Sequence, residues 1–385
     1  MLNAPESSGD LSSSNSPTNY RDLAAIVIDT GTGYTKSGFS GDEKPRSVLK
    51  TTVGVPMVTI TDVLYYIGDN IPKHNTSVEK RKVMTYGIVT DWEALEMLWH
   101  HIFYLELNIC PEELAVLVTD VPMSPLTNRE KTAELLFENF GVPAMYISHQ
   151  SLLSLYSCGR VSGLVVESGH GTSYTTPIDD GYVLPHATYR LDLAGEVLTN
   201  YLAKLMGECG NPFYEDEMDL VCDIKEKCCY VTSDYDTEIQ GNEKNYLMDF
   251  TLPDGHVISI GSERFRCPES IFNPTVFGLT DGGLHVQAMT SVHKCEPEQQ
   301  ANLLANVVVC GGSSLFHGFS ERIKKELSKQ ANGMFTVNVL ASQHRKFSAW
   351  LGGSVTASLD SFQNLWIDRA LYNEKGSSVV HRYCF

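Results

Sequence analysis

Apolar residues fall into two alternating rhythms along this chain. Short aliphatic runs at 24–29, 114–119, 144–147 and 306–309 predict buried strands. Between them the spacing lengthens to that of helices. Leu95, Leu98, Trp99, Ile102 and Phe103 mark a helix over 92–107. Further helices are predicted at 128–140, 150–156, 191–207, 218–230 and 319–331. Asn128 stands where an N-cap is expected and Gly141 where that helix should stop. Gly352-Gly353 sit at the start of another helical run over 349–362. A strand, turn and strand is predicted by 248–252, Pro253-Asp254-Gly255 and 257–260. Strands alternating with helices indicate α/β units.

Other segments read less regularly. Val58-Thr59-Ile60 and Leu64-Tyr65-Tyr66-Ile67 resemble short strands, and the polar stretch 70–82 reads as a loop or short helix. Residues 1–20 are rich in Ser, Asn and Pro and are expected to form a disordered tail, with order beginning near Leu23.

Composition narrows the class. The 385 residues leave room for two or more domains around a large core. A hydrophobic content of 42% and a charged content of 20% are ordinary for a globular protein. The net charge of −18 argues against nucleic-acid binding, which needs a basic surface. Ten cysteines without a C-x-x-C pair read as reduced thiols of an intracellular protein, and no Cys/His cluster has zinc spacing. No basic flank precedes an apolar run at the N-terminus, so no secretory signal is expected, and no apolar stretch is long enough to span a bilayer. Indirect attachment to a membrane through partners stays open.

A nine-residue pattern then stands out because it occurs twice. Residues 27–35 read Val-Ile-Asp-Thr-Gly-Thr-Gly-Tyr-Thr, and residues 165–173 read Val-Val-Glu-Ser-Gly-His-Gly-Thr-Ser. Each copy gives two β-branched residues, a carboxylate, a hydroxyl, Gly-x-Gly and then, closing the nine, Thr or Ser. The β-branched pair suits a strand and Gly-x-Gly a tight turn whose N–H groups can gather around an anion. Asp29 or Glu167 beside such a turn can hold a divalent cation through water. Lys36, just beyond the first turn, can reach a phosphate. Taken alone, either turn is equally an ordinary hairpin, and Gly311-Gly312-Ser313 is equally a tight strand-to-helix junction. Two copies in separate α/β halves shift the balance toward two nests facing one cleft, gripping a nucleoside polyphosphate.

These residues carry a family resemblance. The order IVIDTGTGYTKSGF, GLVVESGHG and VVCGGSSLFHGF resembles the actin family, supported by IGSERFRCPES, WLGGSVTASL and VVHRYCF. Within that family it is similar to the divergent, testis-associated actin-like proteins of vertebrates. The resemblance implies an α/β actin-like ATPase fold. Its duplicated ribonuclease-H-like core would form two lobes and four subdomains around a nucleotide cleft holding ATP or ADP with Mg²⁺ or Ca²⁺. It implies one subdomain from 21–50, 83–157 and 348–385, and a second from 51–82. The third would comprise 158–193 and 281–347, and the fourth 194–280. By position, Asp29 and Glu167 match the residues flanking the metal. Thr30, Gly31, Thr32, Gly33 and Lys36 match the first phosphate loop; Ser168, Gly169, His170 and Gly171 match the second. Lys225 and Glu226 match residues beside the nucleoside, Gly311, Gly312 and Ser313 the third loop, and Lys346 the adenine edge. Gln150 matches the glutamine that positions attacking water.

Departures from the family pattern bear on activity. Glu167 stands where the family has aspartate, and His170 replaces an acid of the second loop. Tyr174 replaces a histidine near the attacking water, and Tyr86 stands where conventional actin has a histidine behind the phosphates. Nucleotide binding is therefore expected to survive while hydrolysis is slow or absent, because attack geometry dominates phosphoryl transfer. The segment 55–66 is shorter than the family's mobile loop, and 272–279 matches its apolar plug; poor unaided self-polymerisation is expected. Elsewhere, His100-His101 and Cys228-Cys229 read as packed or solvated side chains, Arg322, Lys324 and Lys325 as a solvated helix face, and Trp350 and Trp366 as core.

Three functions compete: a scaffolding actin-like protein, an active filament-forming ATPase, and a sugar kinase or chaperone ATPase sharing the duplicated core. His170 and Tyr174 count against the second, and the actin-like segments at both ends count against the third. The resemblance implies cytoskeletal partners, among them other actin-like proteins, in the cytoplasm or around the spermatid nucleus and acrosome.

Overall fold

A computed structural model describes residues 20–57, 64–72, 77–280 and 282–384. Two mixed sheets repeat one plan. In the first, Ser47–Lys50, Tyr34–Phe39 and Ile26–Thr30 run antiparallel, and Val116–Asp120 and Ala144–His149 continue parallel to Ile26–Thr30, with Ile367–Asp368 at the edge. In the second, Ser173–Asp179 pairs antiparallel with Gly163–Ser168, and Val307–Cys310 and Val339–Leu340 continue in parallel. The parallel strands are covered on both faces, which explains their unbroken apolar runs. The two copies of the nine-residue pattern thus form the same hairpin in two copies of one sheet.

Each sheet carries its own core. Ile26, Ile28, Trp99, Leu117 and Trp350 centre the first; Leu202, Ile224, Val307 and Phe319 centre the second. The helix Gln150–Tyr156 links them, because Leu152 and Leu155 pack with Val165 and Val308 of the second sheet. Ser348–Ala357 crosses that helix so closely that a Cβ on Gly352 would overlap the Leu153 carbonyl oxygen.

Several expectations need correction. Val78–Lys82 is a strand, not a loop or short helix, because it pairs along its length with Thr52–Pro56. The 128–140 helix begins earlier, as Leu126–Glu134 followed by a wider π turn over Leu135–Asn139. Asn128 is therefore not its N-cap; its side-chain amide instead donates to the Val89 carbonyl at 3.3 Å. Gly141 does lie past the end, with φ 69°. Leu191 closes the strand Tyr189–Leu191, so the next helix is Gly195–Glu208. Gly352-Gly353 lie in the middle of their helix. Arg322 is buried rather than solvated, bonding Glu269 twice at 3.0 Å. Tyr20 opens a short helical turn, Tyr20–Asp22, and packs on the first core. Residues 1–19 and the expected strand at 58–60 lie outside the described residues. Trp350 and Trp366 are core residues, as expected.

Candidate functional site

The two turns close in the same way. Gly31 donates its N–H to the Tyr34 carbonyl at 3.1 Å, and Gly169 donates to the Thr172 carbonyl at 3.0 Å. Their tips meet face to face. A Cβ on Gly33 would lie 2.6 Å from Cγ of His170, and one on Gly171 would lie 2.6 Å from Oγ1 of Thr32. Each glycine is thus required by a side chain of the opposite tip. The third loop docks on the second: Ser313 Oγ donates to the Gly169 carbonyl at 2.6 Å. Gly311 has φ 89°, and a Cβ there would overlap the Ser168 carbonyl oxygen, so only glycine fits.

The three loops enclose a cavity of about 440 Å³, within the size range of small-molecule sites. Gly31, Thr32, Gly33 and Lys36 line it from the first sheet, and Gly169, His170 and Gly171 from the second. Gly311, Gly312 and Ser313 complete the loops, and Lys225, Glu226, Lys346, Gln150, Asp29 and Glu167 also reach it. Thr30 and Ser168 do not. Thr30 Oγ1 accepts from the Trp99 indole at 3.2 Å, and Ser168 Oγ pairs with Ser173 Oγ at 2.9 Å, both buried in their sheets. Neighbouring residues of a strand point to opposite faces, so a carboxylate aimed at the cavity turns the next hydroxyl away from it. That alternation was readable from the sequence. Sequence reasoning also missed Tyr34, Gly195 and Arg345, which line the same cavity. Arg345 adjoins Lys346 and had a visible charge signal. Gly195 is required because a Cβ there would crowd Ser313 Oγ at 2.9 Å.

Asp29 is buried and fully engaged. Lys36 Nζ approaches Oδ2 at 3.0 Å, while Thr119 Oγ1 and Gln150 Nε2 donate to Oδ1 at 2.7 and 2.8 Å. Glu167 accepts from Ser151 Oγ at 3.2 Å. Its carboxyl is pushed up to about 7 by burial and by the charge of Asp29, against the pull of Ser151 and Lys36. His170 moves the other way, down to about 4, through burial and the charges of Lys225 and Lys82, with Glu196 opposing. It is therefore neutral near pH 7. Lys225 is buried, with Nζ donating to the Gly195 carbonyl at 2.9 Å and to Thr199 Oγ1 at 2.7 Å. Tyr174 pairs in register with Glu167 and is buried, which raises its phenol above the ordinary value.

Among the described residues, no three His, Cys, Asp or Glu side chains converge as a direct metal cage. The oxygen donors Asp29, Glu167 and Gln150 instead border one cavity, which suits hydrated Mg²⁺ or Ca²⁺ held through water. A cation there would neutralise phosphate charge.

A duplicated sheet plan with paired glycine turns closing on a shared cavity defines the class of two-lobed cleft proteins. The chain belongs to the actin family: the family model for actin matches residues 20–216 and 207–385. It is similar to Actin-like protein 7A of Rattus norvegicus, 44% identical over 367 residues, which cover 94% of this chain and 83% of that protein. The Homo sapiens protein of that name is 43% identical over 94% of this chain and 84% of its own length. For Mus musculus the figures are 43%, 94% and 83%. The actin-family fold binds nucleotide with a divalent cation, and membership makes this chain an actin-like cytoskeletal protein. No helix among the described residues is long and apolar enough to cross a membrane.

Proposed function

We propose that this chain clamps ATP or ADP, with Mg²⁺ or Ca²⁺, and hydrolyses ATP slowly or not at all, so that the nucleotide serves chiefly to hold the lobes together. The supporting observation is the apposition of Gly33 with His170 and of Gly171 with Thr32 at the wall of the cavity. A ligand bound between two lobes favours their closed arrangement by mass action.

Slow hydrolysis draws on two side chains. His170, held down to about 4, is only a weak proton acceptor, and the raised phenol of Tyr174 stays protonated near pH 7, so neither is a strong base for water. Gln150 remains, with its amide donating to Asp29 and, at 3.2 Å, to Thr119 Oγ1. Single-turnover hydrolysis by the purified monomer tests this reading. Bound ATP is expected to persist intact, and a rate equal to that of conventional actin would end the proposal.

The second reading, a filament-forming ATPase, draws on Gln150 and on the exposed apolar Val276 and Leu279. A pelleting assay in salt and Mg²⁺ separates the two: long homofilaments favour the second reading, and their absence the first. The resemblance to testis-type members supports a place in the spermatid cytoskeleton around the nucleus and acrosome, with other actin-like proteins as partners. Immunofluorescence and co-precipitation from spermatids test that placement.

A further inference from the structure

Two ion pairs span the cleft between the lobes. Lys50 ends the strand Ser47–Lys50, in register with Tyr34. Its ammonium meets Asp69 of its own lobe at 2.9 Å and Asp219 of the other lobe at 3.0 Å. Burial pulls the Lys50 ammonium down, but the two carboxylates outweigh it and hold the group above its ordinary value, so it stays charged. Asp219 lies on Met218–Cys228, where it shares a helical face with Cys222 and Glu226, three and seven residues on. Tyr34 and Glu226 both line the cavity. The Tyr34 phenol is raised by burial and by the charges of Glu226 and Cys222, which places that helix face opposite the strand pair.

The second pair joins Lys82, the last residue of Val78–Lys82, to Glu196. Glu196 in turn donates its N–H to the His170 carbonyl at 2.8 Å, so this pair lands directly behind the second glycine turn.

Resting on the nucleotide-clamp reading, we propose that Lys50–Asp219 and Lys82–Glu196 form an electrostatic latch that sets how fast nucleotide leaves the cleft. Asp219 and Lys82 keep 60% and 65% of their side-chain surface exposed. Pairs this exposed are individually weak and are screened by salt. The latch is therefore tight at low ionic strength and loosens as salt rises, unlike the packed tips at Gly33 and Gly171.

The test loads the full chain with a fluorescent ATP analogue and follows its release into excess ATP at low and high salt. In parallel, mass spectrometry follows maleimide labelling of Cys222 in nucleotide-free protein. High salt is expected to speed both release and labelling, by about five-fold for two exposed pairs. Asp219→Lys, which breaks one of the two pairs, should speed release at low salt part of the way to the high-salt rate, and Lys50→Glu combined with Asp219→Lys should restore slow release. Rates indifferent to salt and to the single reversal, or a double variant as fast as the single, would overturn the latch. Failure to take up nucleotide would count against the proposed function instead, and Cys222 labelling would still decide the latch.

Discussion

Arg322 is a cation on a helix whose neighbours Lys324 and Lys325 are exposed, yet it is buried. Its guanidinium meets both oxygens of Glu269 at 3.0 Å, Glu326 at 2.7 Å and the Thr232 carbonyl at 2.9 Å. Removing one partner leaves the other charge buried without compensation, which costs about 3–5 kcal/mol. Arg322→Met is therefore expected to lower stability by about that amount in urea unfolding, and a change below about 1 kcal/mol would show the pair to be dispensable. Asp120 and His149 pair across adjacent strands and titrate in opposition. Burial raises Asp120 from 3.8 to about 6 against Arg129, so its contribution to stability falls as pH rises from about 4 to 6. Burial and Arg129 lower His149 from 6.5 to about 4, so its contribution rises across nearly the same window. The two slopes offset each other in the native protein. Asp120→Asn should uncover the rising slope, with stability climbing about 3 kcal/mol more than in the parent between pH 4 and 6.5. Urea midpoints of both proteins across that range check the sign.

At the scale of elements, the close crossing at Gly352 is where packing and site meet. A Cβ there would overlap the Leu153 carbonyl oxygen in the helix that begins with Gln150. Gly352→Ala should force the two helices apart at a cost of about 1–3 kcal/mol, seen as a lower melting temperature, and should also weaken nucleotide binding by shifting Gln150 from Asp29. An unchanged melt would contradict the tightness of that crossing. Elements with strong local patterns were legible in the sequence: Gln150–Tyr156 and Phe319–Ala331 fall where their apolar spacing predicts. Both glycine turns were readable from their own repeated residues, whereas Lys225, Glu226, Lys346 and Gln150, which also reach the cavity, came only from the family resemblance. Val78–Lys82 was not, since Glu79-Lys80-Arg81-Lys82 has no alternation and the strand exists only through its pairing with Thr52–Pro56. The buried place of Arg322 was likewise hidden, because Glu269 lies far away in sequence.

At the scale of the whole molecule, two sheets with separate cores meet at a narrow set of contacts. The glycine tips touch, and the helix from Gln150 packs on both sides. Every one of these contacts borders the cavity or leads to it, so a ligand in that space touches both lobes at once. Gly33 and Gly171 are mirror images in this arrangement, since each leaves room for a residue of the other tip. A side chain at either position should therefore have the same effect through opposite lobes. The most direct measurement is the affinity of purified protein for ATP, compared among the parent, Gly33→Val and Gly171→Val. Binding by the parent and a loss of at least about tenfold in both variants is the expected result. Undiminished binding in either variant, or a parent that binds no nucleotide, would contradict a clamp built from two facing turns.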